Sequence, residues 1–360
     1  MNMYVVNMIL IFIYACVFLW NPKVPKGKLW FCILAATNWI LLSGLRGLDV
    51  GADTREYKEF FWDFCLNHYS WEFILNMFND KFFSGVSLLS QDSALDPGYF
   101  LLLKSIQIFT DEYQIFLLLV AMAFMIPFAC WVYRESKEPF ISFLIYSCLF
   151  YEFFSITGIR QVVGTAIIFF VGNKFLKEKK YGCLLITVIV AFLVHKSIIC
   201  YIPFFFISKI KITKLYSILC ICVTVLAFAF KNTIFTILCN FFGYQKYLLP
   251  EDAGTWTFTF MLALVIFMVL LFKKQIFEIY NNATTSYNAM FMALMLTALT
   301  FVDPSAMRAV QYYSLYLVLV LPDIVVAQKG VEKYLIGIGM SVMMVFLVLK
   351  DNPQYLFFWQ

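Results

Sequence analysis

The sequence predicts an all-α polytopic membrane protein of about twelve (ten to twelve) transmembrane helices, forming one domain over residues 1–360. Three observations carry this. Of 360 residues, 62% are hydrophobic and only 14% are charged, whereas a soluble domain is about half apolar and a quarter charged. Apolar stretches of about 15–20 residues recur along the whole chain, each bounded by Lys, Asn, Pro or Asp, as expected of membrane-spanning helices. Finally, 16 of the 27 Lys and Arg residues fall in six short linkers, and short basic linkers lie on the cytoplasmic side.

The first apolar stretch, Met3 to Trp20, has no basic residue before it and no small-residue cleavage site after it. It is expected to be a retained helix rather than a signal peptide. The basic linkers are Lys23/Lys26/Lys28, Arg134/Lys137, Lys174/Lys177/Lys179/Lys180, Lys209/Lys211/Lys214, Lys273/Lys274 and Lys329/Lys333. One alternation puts all six inside, with helices near 3–20, 29–45, 113–133, 140–156, 160–176, 181–195, 197–207, 214–230, 256–272, 288–302, 309–327 and 334–350. Both termini are then extracytoplasmic. This alternation requires that 98–109, short and carrying Lys104, does not span but lies at the interface or re-enters. It also makes 181–195 and 197–207 a tight pair, the second too short to cross upright.

Residues 46–112 form an extracytoplasmic loop with interfacial helices, holding 5 basic and 11 acidic residues. Eight of the ten cysteines, Cys16, Cys32, Cys130, Cys148, Cys183, Cys200, Cys220 and Cys222, fall in apolar segments and read as small core residues. Cys65 and Cys239 are placed in loops, so no disulfide framework is indicated.

With this topology the polar residues collect at the outer ends of helices: Arg46, Asp49 and Asp53 after the second, Arg160 and Gln161 between the fourth and fifth, His195 and Lys196 at the sixth–seventh turn, Asp303 and Arg308 at the tenth–eleventh. The basic linkers hold Lys almost exclusively, while Arg46, Arg160 and Arg308 are outside. Arginine is suited to bidentate binding of phosphate or carboxylate. Each residue also has a structural reading. Asp53 with Glu56 fits a capping box, Arg46 could snorkel to headgroups, and Asp303 to Arg308 could be a turn closed by a salt bridge. Arg160 sits in Phe153-Phe154-Ser155-Ile156-Thr157-Gly158-Ile159, where an unpaired charge costs a few kcal/mol. Glu152 and Asp323 are intramembrane candidates to partner the arginines. Asp49 and Asp53 could touch a metal but lack a third ligand, so no metal or other cofactor is expected. P-loop, dinucleotide, HExxH and CxxC patterns are absent, which argues against cytoplasmic nucleotide-driven chemistry. Nothing points to nucleic acid.

Gly44-Leu45-Arg46 followed by Val50-Gly51-Ala52-Asp53-Thr54-x-x-Tyr57, then Asp96-Pro97-Gly98-Tyr99, Gly158-Ile159-Arg160-Gln161 and His195-Lys196-Ser197, in that order, resemble the motifs of the EpsG family. These are Wzy-type polymerases of bacterial surface polysaccharide. The resemblance spans most of the chain and thins past residue 250. It implies a transmembrane glycosyltransferase in the cytoplasmic (inner) membrane of a bacterium. Such an enzyme joins polyprenyl-diphosphate-linked oligosaccharide repeat units, as donor and acceptor, on the outer face, in O-antigen, capsule or exopolysaccharide synthesis. A flippase or chain-length regulator would be an associated protein. In that reaction a sugar hydroxyl attacks the anomeric carbon and a lipid diphosphate leaves, so fixed arginines are needed for the developing charge and an Asp or neutral His for the proton. The expected catalytic residues are Asp53, His195 and Arg160. Arg46, Asp49, Tyr57, Gln161, Asp303 and Arg308 are the expected substrate-binding ones.

Rival readings are a glycan ligase using the same donor and a lipid-linked oligosaccharide transporter or flippase. A transporter places its charges at the bilayer midplane between inverted repeats, which this pattern does not suggest. A membrane acyltransferase would need a His/Arg-rich run that the chain lacks.

Overall fold

A computed structural model describes residues 2–62, 70–76, 96–242, 255–279, 283–351 and 354–360. Within them every regular element is a helix, and the one β-contact is an isolated bridge between Arg46 and Phe357. The expected loop 46–112 is therefore described only in part. Cys65, Asp63, Asp80, Lys81 and Asp92 lie outside the described residues.

The helices follow the apolar stretches closely. They run Met3–Leu19, Gly27–Gly44, Tyr113–Glu135, Pro139–Phe150 continued by Glu152–Ile156, Ile159–Lys177, Tyr181–Val194, Lys196–Ile207, Lys214–Ala229, Trp256–Leu271, Ala283–Thr300, Met307–Ser314 with Leu317–Ala327, and Gly330–Asp351. Three of them, Gly27–Gly44, Tyr113–Glu135 and Ile159–Lys177, are long and apolar enough to cross a membrane alone; the number rises to six if each of three bent pairs makes one span. Ala283–Thr300 and Gly330–Asp351 have 18 and 22 residues and the remaining apolar helices are shorter; the backbone is wound locally as π-helix over Ala15–Leu19, Tyr146–Phe150, Glu152–Ile156 and Ala166–Gly172.

One element differs from the linear reading. Lys231–Phe242, expected as loop, is a helix turned 78° from Lys214–Ala229, and Cys239 is buried in it. Its isolated polar residues, Asn232, Thr233, Thr236 and Asn240, interrupt the hydropathy without breaking the backbone. Pro97–Gln107 is a helix of 11 residues, about 16 Å long at 1.5 Å per residue and half a bilayer core.

The centre of the bundle is aromatic. Phe124, Phe128, Tyr146, Phe169, Tyr201, Phe204 and Tyr313 are wholly buried and their rings meet edge-on, tilted or stacked. The perimeter is the reverse of a soluble surface. Lys214–Ala229 alone exposes Leu215, Ile218, Leu219, Ile221, Val223, Val225 and Leu226. A continuous apolar exterior of this kind is stable only against lipid.

The two ends of the bundle are chemically distinct. Lys28 donates to the Ser136 carbonyl at 2.6 Å, Lys177 pairs with Glu135 at 3.2 Å, Lys333 pairs with Glu138 at 2.9 Å, and Lys273 donates to the Ile212 carbonyl. Arg134, Lys174 and Lys209 border one cavity. These contacts gather all six basic linkers at one end. The termini meet at the other. Gly47 N donates to Leu356 O at 2.8 Å, Phe358 N to Leu45 O at 3.0 Å, and the Tyr4 ring packs edge-on against Tyr355.

Candidate active site

Three chain breaks at the end away from the lysines bring the polar motifs together. The first precedes Pro97–Gln107. Proline at the first helical position needs no N–H partner, and the Tyr99 N–H is taken by the Asp96 backbone carbonyl at 2.9 Å, so the Asp96 carboxylate makes no capping bond and points elsewhere. The helix then lies directly on Tyr181–Val194 at Gly98, where a Cβ would stand 2.8 Å from the Leu193 carbonyl carbon. Only glycine permits that approach, and it sets Asp96 beside the end of the neighbouring helix.

The second break is His195, whose extended backbone (φ -157°, ψ 113°) ends Tyr181–Val194 before the Lys196–Tyr201 turn. The third is Gly158, at φ 63°, a left-handed conformation that most residues avoid. It turns the chain sharply out of Glu152–Ile156 and starts Ile159–Thr165 with Arg160 in its first turn.

Asp96 is the hub. Its Oδ2 lies 3.6 Å from Arg160 Nη1 and 3.6 Å from His195 Nδ1, and its side chain is only 7% exposed. Arg160 Nε also donates to the Tyr57 hydroxyl at 3.4 Å, and its guanidinium stands 6.0 Å from the Tyr99 ring centre. The arginine is thus held by an acid, a phenol and an aromatic face while its side chain stays 28% exposed. His195 Nε2 is buried with no hydrogen-bond partner. The charges of Asp96, Arg160 and Arg308 all act on the imidazole. The ring thus turns Nδ1 toward Asp96 and leaves Nε2 as its unpartnered nitrogen.

Asp53 occupies the N-cap of Thr54–Glu59 but makes no capping bond. Its backbone is αR (φ -102°, ψ -5°), whereas a capping side chain needs an extended residue. Instead Oδ2 accepts from Gly158 N at 3.3 Å. The carboxylate pins the turn that presents Arg160, and the expected capping box does not form. Gln161 is buried and its Nε2 donates to the Arg308 carbonyl at 3.2 Å, which ties Ile159–Thr165 to Met307–Ser314. Arg308 itself is exposed. Asp303 is buried and caps Pro304–Ala306 through Ser305 N at 2.8 Å. It forms no ion pair with Arg308 among the described residues, so the turn is closed by capping. Asp49 pairs with Arg55 at the surface, both more than 60% exposed.

Arg46 has a different setting. It is 2% exposed and donates to the Ser43 carbonyl, to Ser43 Oγ at 3.3 Å, to the Ser155 carbonyl at 3.3 Å and to Thr54 Oγ1 at 3.1 Å. It does not snorkel to lipid headgroups. Asp323, considered as an arginine partner, is buried toward the basic end, where Lys137 and Glu135 act on it. No group of three His, Cys, Asp or Glu able to hold a metal occurs among the described residues.

The residue that linear reading left unassigned is Asp96. Its Asp-Pro-Gly-Tyr motif was visible, but an acid before a proline reads as a helix start, and only packing at Gly98 reveals where the carboxylate goes.

The sequence model of the EpsG family matches residues 28–359, nearly the whole chain. The chain belongs to the EpsG family. Members of the EpsG family are Wzy-like polymerases, and an all-helical, multi-pass membrane chain accords with that. The match reaches beyond residue 250, where the motif resemblance had thinned, so the half that carries Arg308 and the C-terminal tail is part of the family pattern. Neither the curated proteins nor the solved structures contain a match to this chain.

Proposed function

We propose that this EpsG-family protein is a polymerase that transfers a growing glycan from a polyprenyl diphosphate to the next lipid-linked repeat unit, on the outer face of a bacterial cytoplasmic membrane. The observation that carries the reading is the Arg160–Asp96–His195 cluster. A partly exposed guanidinium and an imidazole whose Nε2 has no hydrogen-bond partner share one buried carboxylate, at the end of the bundle opposite the lysines.

In this reading the acceptor hydroxyl oxygen forms a bond to the donor's anomeric carbon as the bond from that carbon to the diphosphate oxygen breaks. The electron pair leaves with the diphosphate, where Arg160 and the exposed Arg308 offset the charge. The hydroxyl proton passes to His195 Nε2. Asp96 is a positioning residue that holds both partners, and Asp53 holds the Gly158 turn. Tyr57 and Gln161 border the sugar, with Asp49 and Asp303 farther out. Arg46 is the anchor of the loop rather than a ligand contact.

The topology belongs to the same reading: twelve passages, termini outside, Pro97–Gln107 not spanning. It is supported by the gathering of all six basic linkers at one end and of the termini at the other. The test is extension of purified polyprenyl-diphosphate repeat units by purified protein, read as a ladder of chain lengths, beside a deletion strain. The expected deletion phenotype is surface glycan of single repeat units. Absence of every lipid-linked repeat from the outer leaflet would establish transport instead, and long chains lacking only their final anchor would establish ligation.

A further inference from the structure

A second polar site lies at the opposite end of the bundle. Ile159–Lys177 is one continuous helix of 19 residues, so its far end is about 25 Å from Arg160 at 1.5 Å per residue. There a cavity of about 450 Å³ opens between this helix, Tyr113–Glu135, Leu317–Ala327 and the start of Ala283–Thr300, within the size range of small-molecule sites.

Its wall is graded. The deep side is aromatic, with Trp131, Phe170 and Tyr316. Asn173 on this wall is held by the Tyr201 and Tyr316 hydroxyls at 2.9 and 3.1 Å. The rim carries Arg134, Lys174 and Lys209 from three different linkers. Neighbouring cations are paired, Lys177 with Glu135 at 3.2 Å and Lys180 with Glu178 at 2.7 Å. The three rim cations form no ion pair among the described residues, although Glu135 and Glu178 also line the cavity. Three like charges converging on one opening repel one another, and an anion between them removes that cost. An apolar floor under a cationic rim matches a lipid with an anionic headgroup, rather than a soluble anion that would leave the aromatic wall unfilled.

We propose that this cavity binds the phosphate of a membrane lipid, with Arg134, Lys174 and Lys209 around the phosphate and the lipid chain against Trp131 and Phe170. The site is separate from the Arg160 cluster and does not depend on the reaction assigned there.

The test uses full-length protein in a neutral detergent, with thermal unfolding and native mass spectrometry as readouts. The ligands are phosphatidylglycerol, phosphatidylcholine, a polyprenyl monophosphate and inorganic phosphate. Wild-type protein should retain and be stabilised by phosphatidylglycerol or the polyprenyl phosphate over phosphatidylcholine, and which of the two binds tighter identifies the lipid. The double substitution Arg134→Gln/Lys174→Gln, both exposed and so without packing cost, should weaken that binding about 25-fold, at roughly fivefold per charge. Lys23→Gln/Lys26→Gln, in a basic linker that does not line the cavity, should leave it unchanged. Equal response to phosphatidylcholine or to inorganic phosphate, unchanged binding by the Arg134/Lys174 variant, or equal loss in the Lys23/Lys26 variant would each overturn the proposal.

Discussion

Arg46 and Arg160 begin as the same kind of residue. Each is an arginine at the end of an apolar helix away from the basic linkers, within two residues of a glycine, in a motif that resembles those of the EpsG family. Folding separates them. Arg46 is closed off from solvent and spends its guanidinium on two carbonyls and two hydroxyls, at the point where the C-terminal tail docks. Arg160 is held by Asp96, Tyr57 and Tyr99 and keeps 28% of its side chain exposed. The difference is one of acceptors. Four neutral acceptors satisfy a guanidinium geometrically without cancelling its charge, which suits a knot that orders a loop. A single carboxylate 3.6 Å away and shared with an imidazole leaves the positive charge at a partly exposed surface, where it attracts a second anion.

The comparison predicts opposite failures. His195→Gln should give the largest effect, since it removes the base while keeping a polar group at Nδ1 reach of Asp96. Chain extension should fall by about 10²–10⁴ with unchanged thermal unfolding, and retained extension would remove the histidine from the chemistry. Arg160→Lys keeps a charge at the same depth but loses the planar fork. Extension should fall about 10²–10³-fold at normal protein level, whereas near wild-type extension would make Arg160 a second Arg46.

Arg46→Lys should do the reverse. An ammonium cannot reach Ser43, Ser155 and Thr54 together, so buried carbonyls lose partners at about 1–3 kcal/mol each. The unfolding temperature or yield should drop while extension per folded molecule stays close to wild type. A pure activity loss would place this arginine at the substrate. The smallest effect is expected of Asp53→Asn. Asparagine keeps an acceptor for Gly158 N, so extension should change less than about tenfold. A loss as large as that of Arg160→Lys would make the Asp53 charge itself part of the reaction.

Helix positions were readable along the chain because lipid imposes one simple rule: every residue facing it must be apolar, and every backbone group must be bonded within its own helix. Lys231–Phe242 escaped because it obeys no such rule, its Asn and Thr residues looking like a loop to a hydropathy reading. The candidate site was half legible. Asp53, Tyr57, Arg160, Gln161 and His195 were all singled out, and all but Gln161 contribute a side-chain atom to the cluster or to the turn that presents it. Asp96 was in view but unassigned, and Asp49 and Asp303 were given substrate roles where the structure engages them with Arg55 and Ser305 N.

The linear order of residues thus determined the class of protein, the helices, the division into a lysine end and an arginine end, and the family. Those properties depend on composition and local periodicity, which each segment carries within itself. Only the tertiary structure decided which arginine is partly exposed and which is buried, that Asp53 holds a turn instead of capping a helix, and that Asp96 joins residues 64 and 99 positions away. These depend on approaches between segments, Gly98 on Leu193 and Asp53 on Gly158, and a contact between distant segments leaves no periodic trace in either of them.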